Sequence, residues 1–245
     1  MNDPRVCLLI VLRDQHELLP ELLAHLRPLN LPVLAIDDGS RLDSAARLDH
    51  LAAQTGMELI RLVRRSGKGI AVRAALDEAQ RLGYTHALQH DIGDAYELAA
   101  LEALIARSRR HPTTLFFGVP LDRQGMAPAP QLGALLAGMN AFSRRVREAR
   151  PGVRLYPISS FNQMLARFPC GSGAEFDVES LIHWRWRDAP CEPHPLPLLA
   201  RREGRGITIA QAWASLLMHL RTTFGMLLRS PWLLRRLRRD REPQP

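Results

Sequence analysis

The residues best placed to do chemistry in this chain are carboxylates standing where apolar runs stop. In "ALQHDIGDAYELAALEALI", residues 87 to 105, an apolar run closes on Asp91, Gly93 comes next, and Asp94 stands just before a helical pattern resumes. An ionised carboxylate only accepts hydrogen bonds, and one or two of them together with phosphate oxygens bind a hard divalent cation such as Mg or Mn. Asp91 suits that task. Asp94 is either a second metal ligand or the N-cap of the next helix, with Glu97 three residues on completing a capping box.

Two further acidic pairs have a similar setting. "AIDDGS", residues 35 to 40, ends an apolar run in Asp37 and Asp38, with Gly39 free to take a positive φ and Ser40 able to cap the next helical stretch. It reads as a strand-to-helix turn or as acceptors for a nucleobase or ribose. "EFDVES" carries Asp177 and Glu179 at the start of a helical stretch. Two positions apart, they point in different directions, so at most one faces the chemistry. First-turn acids are also favoured by the helix dipole alone.

The cationic counterpart is "RRSGKGIAVRAAL", residues 64 to 76, where Gly67 and Gly69 flank Lys68, the only lysine in the chain. A P-loop needs a glycine five residues before Gly67 and a Ser or Thr after Lys68, but Leu62 and Gly69 stand there. A dinucleotide fingerprint fails at Val72, and the turn comes after the third apolar run rather than the first. The surviving reading is a turn whose backbone can approach a ligand closely, with Lys68, Arg65 or Arg73 to meet negative charge.

The elements that must hold these groups are legible in the first half. Short apolar runs alternate with stretches of helical period: "VCLLIVL", "ELLPELLAHL", "PVLAID", "SAARLDHLAAQ", "MELIRLV", "GIAVRAALDEAQRL", "THALQHD". This βαβαβαβ order predicts an α/β domain with a mainly parallel sheet covered by helices on both faces, and ligands in such sheets bind beyond the carboxyl ends of the strands. After residue 107 the pattern loosens. One more strand is expected at "TTLFFGV", a mobile loop near the site at "PLDRQGMAPAPQLG", and helices over 132–149, 158–168 and 176–187, after which a proline-punctuated segment, "PCEPHPLPLLARREGRG", leads into the tail.

At 245 residues and 46% hydrophobic the chain can bury one sizeable core. Three cysteines with no Cys-x-x-Cys spacing argue against a disulfide framework or zinc knuckle and point to a reducing cytoplasm. The first apolar run has no basic leader and is broken by Arg13, so it reads as a buried strand rather than a signal peptide or span. The net charge of +8 is uneven: from position 221 on, seven arginines face only Asp240 and Glu242. Residues 208–245 therefore read as an amphipathic, Arg-rich helical tail on a 1–207 domain. Its apolar runs are interrupted by Gln211, His219, Arg221 and Arg229, so a helix pair lying against an anionic membrane surface is expected, not a span; the alternative is that 208–228 packs on the domain and only 230–241 is free. The arginines lack interleaved exposed aromatics, which argues against nucleic acid.

"AIDDGS", "GKGIAVRAAL" and a carboxylate ending the next strand, in that order, resemble family 2 glycosyltransferases of the GT-A fold, the group that includes dolichyl-phosphate mannose synthase, over about residues 5 to 105. "VRLYP", "EFDVESLIHWRWRDAP" and "LRTTFGML" resemble, more loosely, a bacterial branch associated with lipid or aryl-polyene biosynthesis. The resemblance implies a Rossmann-like GT-A domain, Asp37 and Asp38 on the nucleoside, Lys68 and Arg73 beside the base or diphosphate, Asp91 on the metal, and an acidic residue such as Asp177 or Glu179 near the acceptor. The family motif reads Asp-x-Asp-Gly, whereas Gly93 stands here in place of its second aspartate, and "VLRDQHE" replaces the usual Pro, aromatic and Asn cluster after the first strand. The implied function is inverting, metal-assisted transfer of a sugar from a nucleotide-sugar donor to a lipid-linked or lipid-pathway acceptor, at the inner face of the cytoplasmic membrane. The alternative is a catalytically degenerate nucleotide-sugar-binding or scaffolding protein of the same fold. A sugar-phosphate nucleotidyltransferase would need a glycine-rich signature after the first strand, and none is present.

Overall fold

The computed structural model describes residues 4–239 except 128, 130–131, 144, 149–151 and 202–207, and describes no side chains for 147, 148, 201 and 230–239. The first half runs β1 (Val6–Leu12), α1 (Leu19–Leu26), β2 (Val33–Asp37), α2 (Leu42–Thr55), β3 (Glu58–Arg61), α3 (Lys68–Arg81) and β4 (His86–Gln89). The second runs β5 (Asp94–Tyr96), α4 (Leu98–Arg110), β6 (Leu115–Leu121), α5 (Leu132–Asn140), β7 (Arg154–Pro157), α6 (Ile158–Arg167), α7 (Phe176–Trp186), β8 (Cys191–Arg201) and α8 (Ile209–Arg239).

The strands form one sheet in the order β3-β2-β1-β4-β7-β6-β8-β5. Pairings are parallel from β3 through β4 and again between β6 and β8; the pairings of β7 with β4 and β6, and of β5 with β8, are antiparallel. A strand buried on both faces reads as an unbroken apolar run, and β1 shows why. Its Cys7 and Leu9 enter a core shared with α3, α6 and α7, while Leu8, Ile10 and Leu12 enter a second core with α1, α2 and α4.

Several elements depart from the sequence reading, and the helix expected over 132–149 ends at Asn140 as α5. The helix expected from residue 95 begins at Leu98 with Glu97 at its N-cap, and Asp94 instead opens the short strand β5. Asp94 is therefore not a helix cap. The proline-punctuated segment, given no element from sequence, forms over Cys191–Arg201 the eleven-residue strand β8. Residues two apart turn their backbone groups to the same side. The Pro197 carbonyl accepts from Glu97 N, which fixes the proline side as the one facing β5. Pairing with β5 starts only at Leu198, so Pro193 and Pro195 withhold their missing N–H groups where no strand needs them.

The tail is one continuous helix rather than a pair. Met218, Thr222 and Met226 are buried on its inner face. Asn140 of α5 donates its amide N–H to Thr222 Oγ1 (2.8 Å) and accepts from Thr223 Oγ1 (3.1 Å). Arg229 lies over the Trp186 ring at 4.6 Å. The arginine cluster beyond residue 230, expected to meet lipid, lies outside the described side chains. The proline- and glycine-rich stretch after β6 includes undescribed positions 128, 130 and 131.

Candidate functional site

The site forms where β1, β2 and β4 end at their carboxyl edges, the crossover region where ligands of doubly wound sheets bind. A cleft of about 290 Å³ opens there, lined by residues that include Arg13, Gln15, Asp38, Lys68 and Asp91. That volume is at the lower end for a small-molecule pocket.

Lys68 is the first residue of α3, and its ammonium lies between two carboxylates from different halves of the chain. Nζ is 2.8 Å from Asp91 Oδ2, just past β4, and 2.7 Å from Asp177 Oδ2, in the first turn of α7. Burial alone would favour the neutral amine, but the Asp177 carboxylate, and then Asp91, outweigh it and hold the Lys68 pKa above the ordinary lysine value. Burial likewise would raise the Asp177 carboxyl, yet Lys68 and Arg154 hold it below the usual carboxylate range.

Behind this trio lies a polar chain inside the sheet. Gln89 donates its amide N–H to Asp91 Oδ1 at 3.0 Å, and Tyr156 donates its hydroxyl to Gln89 Oε1 at 2.8 Å. Burial pushes the Tyr156 phenol up, so it remains a donor at neutral pH. Arg154 on β7 is fully buried and donates from Nη1 to the Asp177 backbone carbonyl at 2.5 Å. Its Nε and Nη2, and Asp177 Oδ1, are buried without a hydrogen-bond partner. Gln89, Arg154 and Tyr156 were missed from sequence. The available signal was a glutamine inside "ALQHD" and an arginine inside "VRLYP", each a large polar residue in a strand with no exposed face.

The other expected site residues lie in varied places. Asp38 lines the cleft, but its carboxylate accepts the backbone N–H groups of Ser66 (2.6 Å) and Gly67 (3.0 Å), so it shapes the turn that presents Lys68. Asp37 is fully buried and its oxygens are engaged by Ser40 N (2.9 Å) and Arg61 Nε (2.9 Å). Arg73 reaches α6, where its Nη2 lies 3.4 Å from the Leu165 carbonyl, and it does not line the cleft. Asp94 accepts from the Tyr96 hydroxyl at 2.9 Å and borders a different pocket beside Glu21 and His25.

Asp177 and Glu179 do diverge. Glu179 is fully buried, accepts the Gly171 N–H at 2.7 Å and pairs with Arg221 of α8, which makes it a tether for the tail. The glycines around Lys68 also find a use. A Cβ at Gly67 or Gly69 would collide with the backbone carbonyls of Ser172 or Gly171. The close approach they permit is to the 171–173 loop that delivers α7 and Asp177.

Among the described residues no group of three or more His, Cys, Asp or Glu is arranged to hold a metal ion. A magnesium-type cation needs only one or two carboxylates when substrate phosphates supply the rest, and Asp91, steadied by Gln89, fits that role.

Compared by sequence, the chain matches no protein-family model and no curated protein. Compared by structure, it is similar to glucosyl-3-phosphoglycerate synthase from Mycobacterium tuberculosis. In that enzyme's complex with Mg2+ and UDP the TM-score is 0.66 at 16% identity, over 88% of this chain and 79% of that one. Its complex with Mn2+, UDP-glucose and phosphoglyceric acid gives 0.63 at 17%, over 88% and 79%. A further mycobacterial protein gives 0.65 at 15%, over 91% and 74%. The chain has the GT-A glycosyltransferase fold.

Proposed function

We propose that the protein is an inverting, metal-assisted glycosyltransferase that moves a sugar from a nucleoside-diphosphate donor to a lipid-linked acceptor carrying a phosphate. The observation that carries the reading is the convergence of Asp91 and Asp177 on Lys68 at the carboxyl edge of a sheet with this fold. Glucosyl-3-phosphoglycerate synthase is solved with UDP and Mg2+ and with UDP-glucose and Mn2+, which supports the same donor chemistry here.

Transfer with inversion is one displacement at the anomeric carbon, and it requires charge to be neutralised on the departing diphosphate. A bound divalent cation supplies that neutralisation as a Lewis acid. Asp91 would hold it, with Gln89 fixing the carboxylate's orientation, and Arg13 on the cleft wall would meet further phosphate charge. Asp177, from the other half of the chain, lies buried behind Lys68 and reaches that space through the lysine it holds. Held ionised below the usual range, it is a weak base, so it suits an acceptor that arrives already ionised better than an alcohol that must lose a proton. A phosphate monoester is such an acceptor.

The outer face of α8 supports a lipid setting. Trp213, Leu217, Leu220, Phe224 and Leu227 recur at three- and four-residue spacing, and each is between 59% and 65% exposed. Among the described residues no helix is long and apolar enough to cross a membrane. Such a face, continued by an arginine-rich sequence, suits a helix lying in an anionic interface.

The test is a transfer assay with UDP- and GDP-sugars, manganese, and a polyprenyl phosphate in anionic vesicles, run beside a soluble phosphate-bearing alcohol. Transfer to the lipid phosphate is expected. Transfer only to the soluble alcohol would replace the acceptor assignment, and nucleotide binding without transfer to any acceptor would leave a binding protein of this fold.

A further inference from the structure

Lys68 has a second consequence that rests on the donor reading above. Its ammonium touches both carboxylates that a cation entering the cleft would seek. The local formal charges close: Asp91 and Asp177 are balanced by Lys68 and Arg154, and Arg154 is fully buried. A divalent cation arriving alone would leave two positive charges in excess in a partly dehydrated site. A nucleoside diphosphate alone brings roughly two to three negative charges at pH 7 to a cleft whose lysine is already engaged. Brought together, cation and diphosphate nearly cancel, and Arg13 and Asp38 on the same wall offset each other.

We infer that Lys68 is a placeholder cation: it fills the space between Asp91 and Asp177 in the ligand-free protein, and cation and diphosphate displace it from Asp91 only as a pair. The geometry allows this without unfolding. Lys68 is anchored by its backbone at the start of α3, where the neighbouring Gly69 N–H bonds to the Ser172 carbonyl at 2.7 Å, so only the side chain has to move. Its side chain and that of Asp91 keep 21% and 27% exposure toward the cleft, whereas Asp177 keeps 1%. Lys68 therefore parts from Asp91 on the open side and stays with Asp177 on the closed side, where it turns its free N–H groups to the phosphates. The expected behaviour is strong synergy: each ligand raises the affinity for the other by the same factor.

The test is calorimetric titration of the full chain with manganese alone, UDP alone, and each in the presence of the other, on wild type and Lys68→Met. Wild type is expected to show no manganese binding alone at millimolar concentration and clear binding with UDP. In Lys68→Met, two carboxylates lose their shared cation, so manganese alone should bind at least about tenfold more tightly and the synergy should shrink correspondingly. Equal manganese affinity in variant and wild type overturns the placeholder.

A second measurement uses the native side chain. Because Lys68 is the only lysine, biosynthetic incorporation of 13C-labelled lysine gives one lysine side-chain NMR reporter. That signal should stay in place with magnesium alone and move with magnesium plus UDP; movement with magnesium alone overturns the inference even if Lys68→Met does not fold. Failure of UDP and GDP to bind under any condition counts against the donor reading, while the metal-only arms still decide the placeholder.

Discussion

Replacing Asp177 with asparagine keeps the shape of the side chain and deletes one charge from a four-charge site. Asp177 is 1% exposed, 2.7 Å from Lys68 Nζ, and close enough to Arg154 for that guanidinium to lower its pKa. Attraction between unit charges about 4 Å apart is roughly 4 kcal/mol at an effective dielectric near 20, and removing one partner of a buried pair costs about 3 to 5 kcal/mol. Lys68 keeps Asp91, and Arg154 keeps the Asp177 backbone carbonyl, so the lower end applies, about 3 kcal/mol. The assay is urea unfolding at pH 7.5, repeated toward acid. The folded-state pKa of Asp177 is depressed, so its contribution is present above the ordinary value of 3.8 and lost as pH falls through the lower folded value. Wild type and variant should therefore differ by the same amount at pH 5 and converge only below about 3.8. A variant within about 0.5 kcal/mol of wild type at pH 7.5 would refute the idea that this charge chain organises the site.

The same contacts set other outcomes. Asp91→Asn should abolish metal-dependent UDP binding in calorimetry while costing about 1 kcal/mol or less in stability, since its carboxylate is partly exposed. His183 has its pKa pushed down to about 4 by burial, then by Arg221 and Arg229, so it stabilises the fold above pH 6.5 and that contribution is lost as pH falls toward 4. The loss of stability between pH 7 and pH 5 should be about 2 kcal/mol smaller in His183→Asn, measured by urea unfolding at both values. Gly69→Ala should cost about 1 to 3 kcal/mol, because its methyl group meets the Gly171 carbonyl and Phe176; equal thermal stability would contradict that packing. Leu217→Glu with Phe224→Glu should weaken binding to anionic vesicles at least about tenfold in co-sedimentation without changing the melting temperature, since both residues face outward.

The parallel half of the fold was legible because a strand buried on both faces leaves a continuous apolar signature, as β1 does, and because each helix between strands shows one apolar stripe. The site was less legible. Sequence spacing placed Asp91 at a strand end but could not show that Lys68 spans from it to Asp177, 109 positions away from the lysine. Asp37 and Asp38 look equivalent in "AIDDGS", yet one is locked by Arg61 inside the fold and the other caps the lysine turn at the cleft. The strand β8 was hidden by its prolines, whose cost vanishes only because of which edge they face. Glu179 and Asp177 share a helix turn, and only the positions of α8 and Lys68 separate a tail tether from the acid that holds the lysine.

The most direct test of donor binding at this cleft is a crystal structure of the protein with UDP and manganese, with data collected at the manganese absorption edge. One anomalous peak is expected, bonded to an Asp91 oxygen and to the diphosphate, with Lys68 withdrawn from Asp91. A peak seated elsewhere, or UDP bound with Lys68 still joining Asp91 to Asp177, would contradict that expectation.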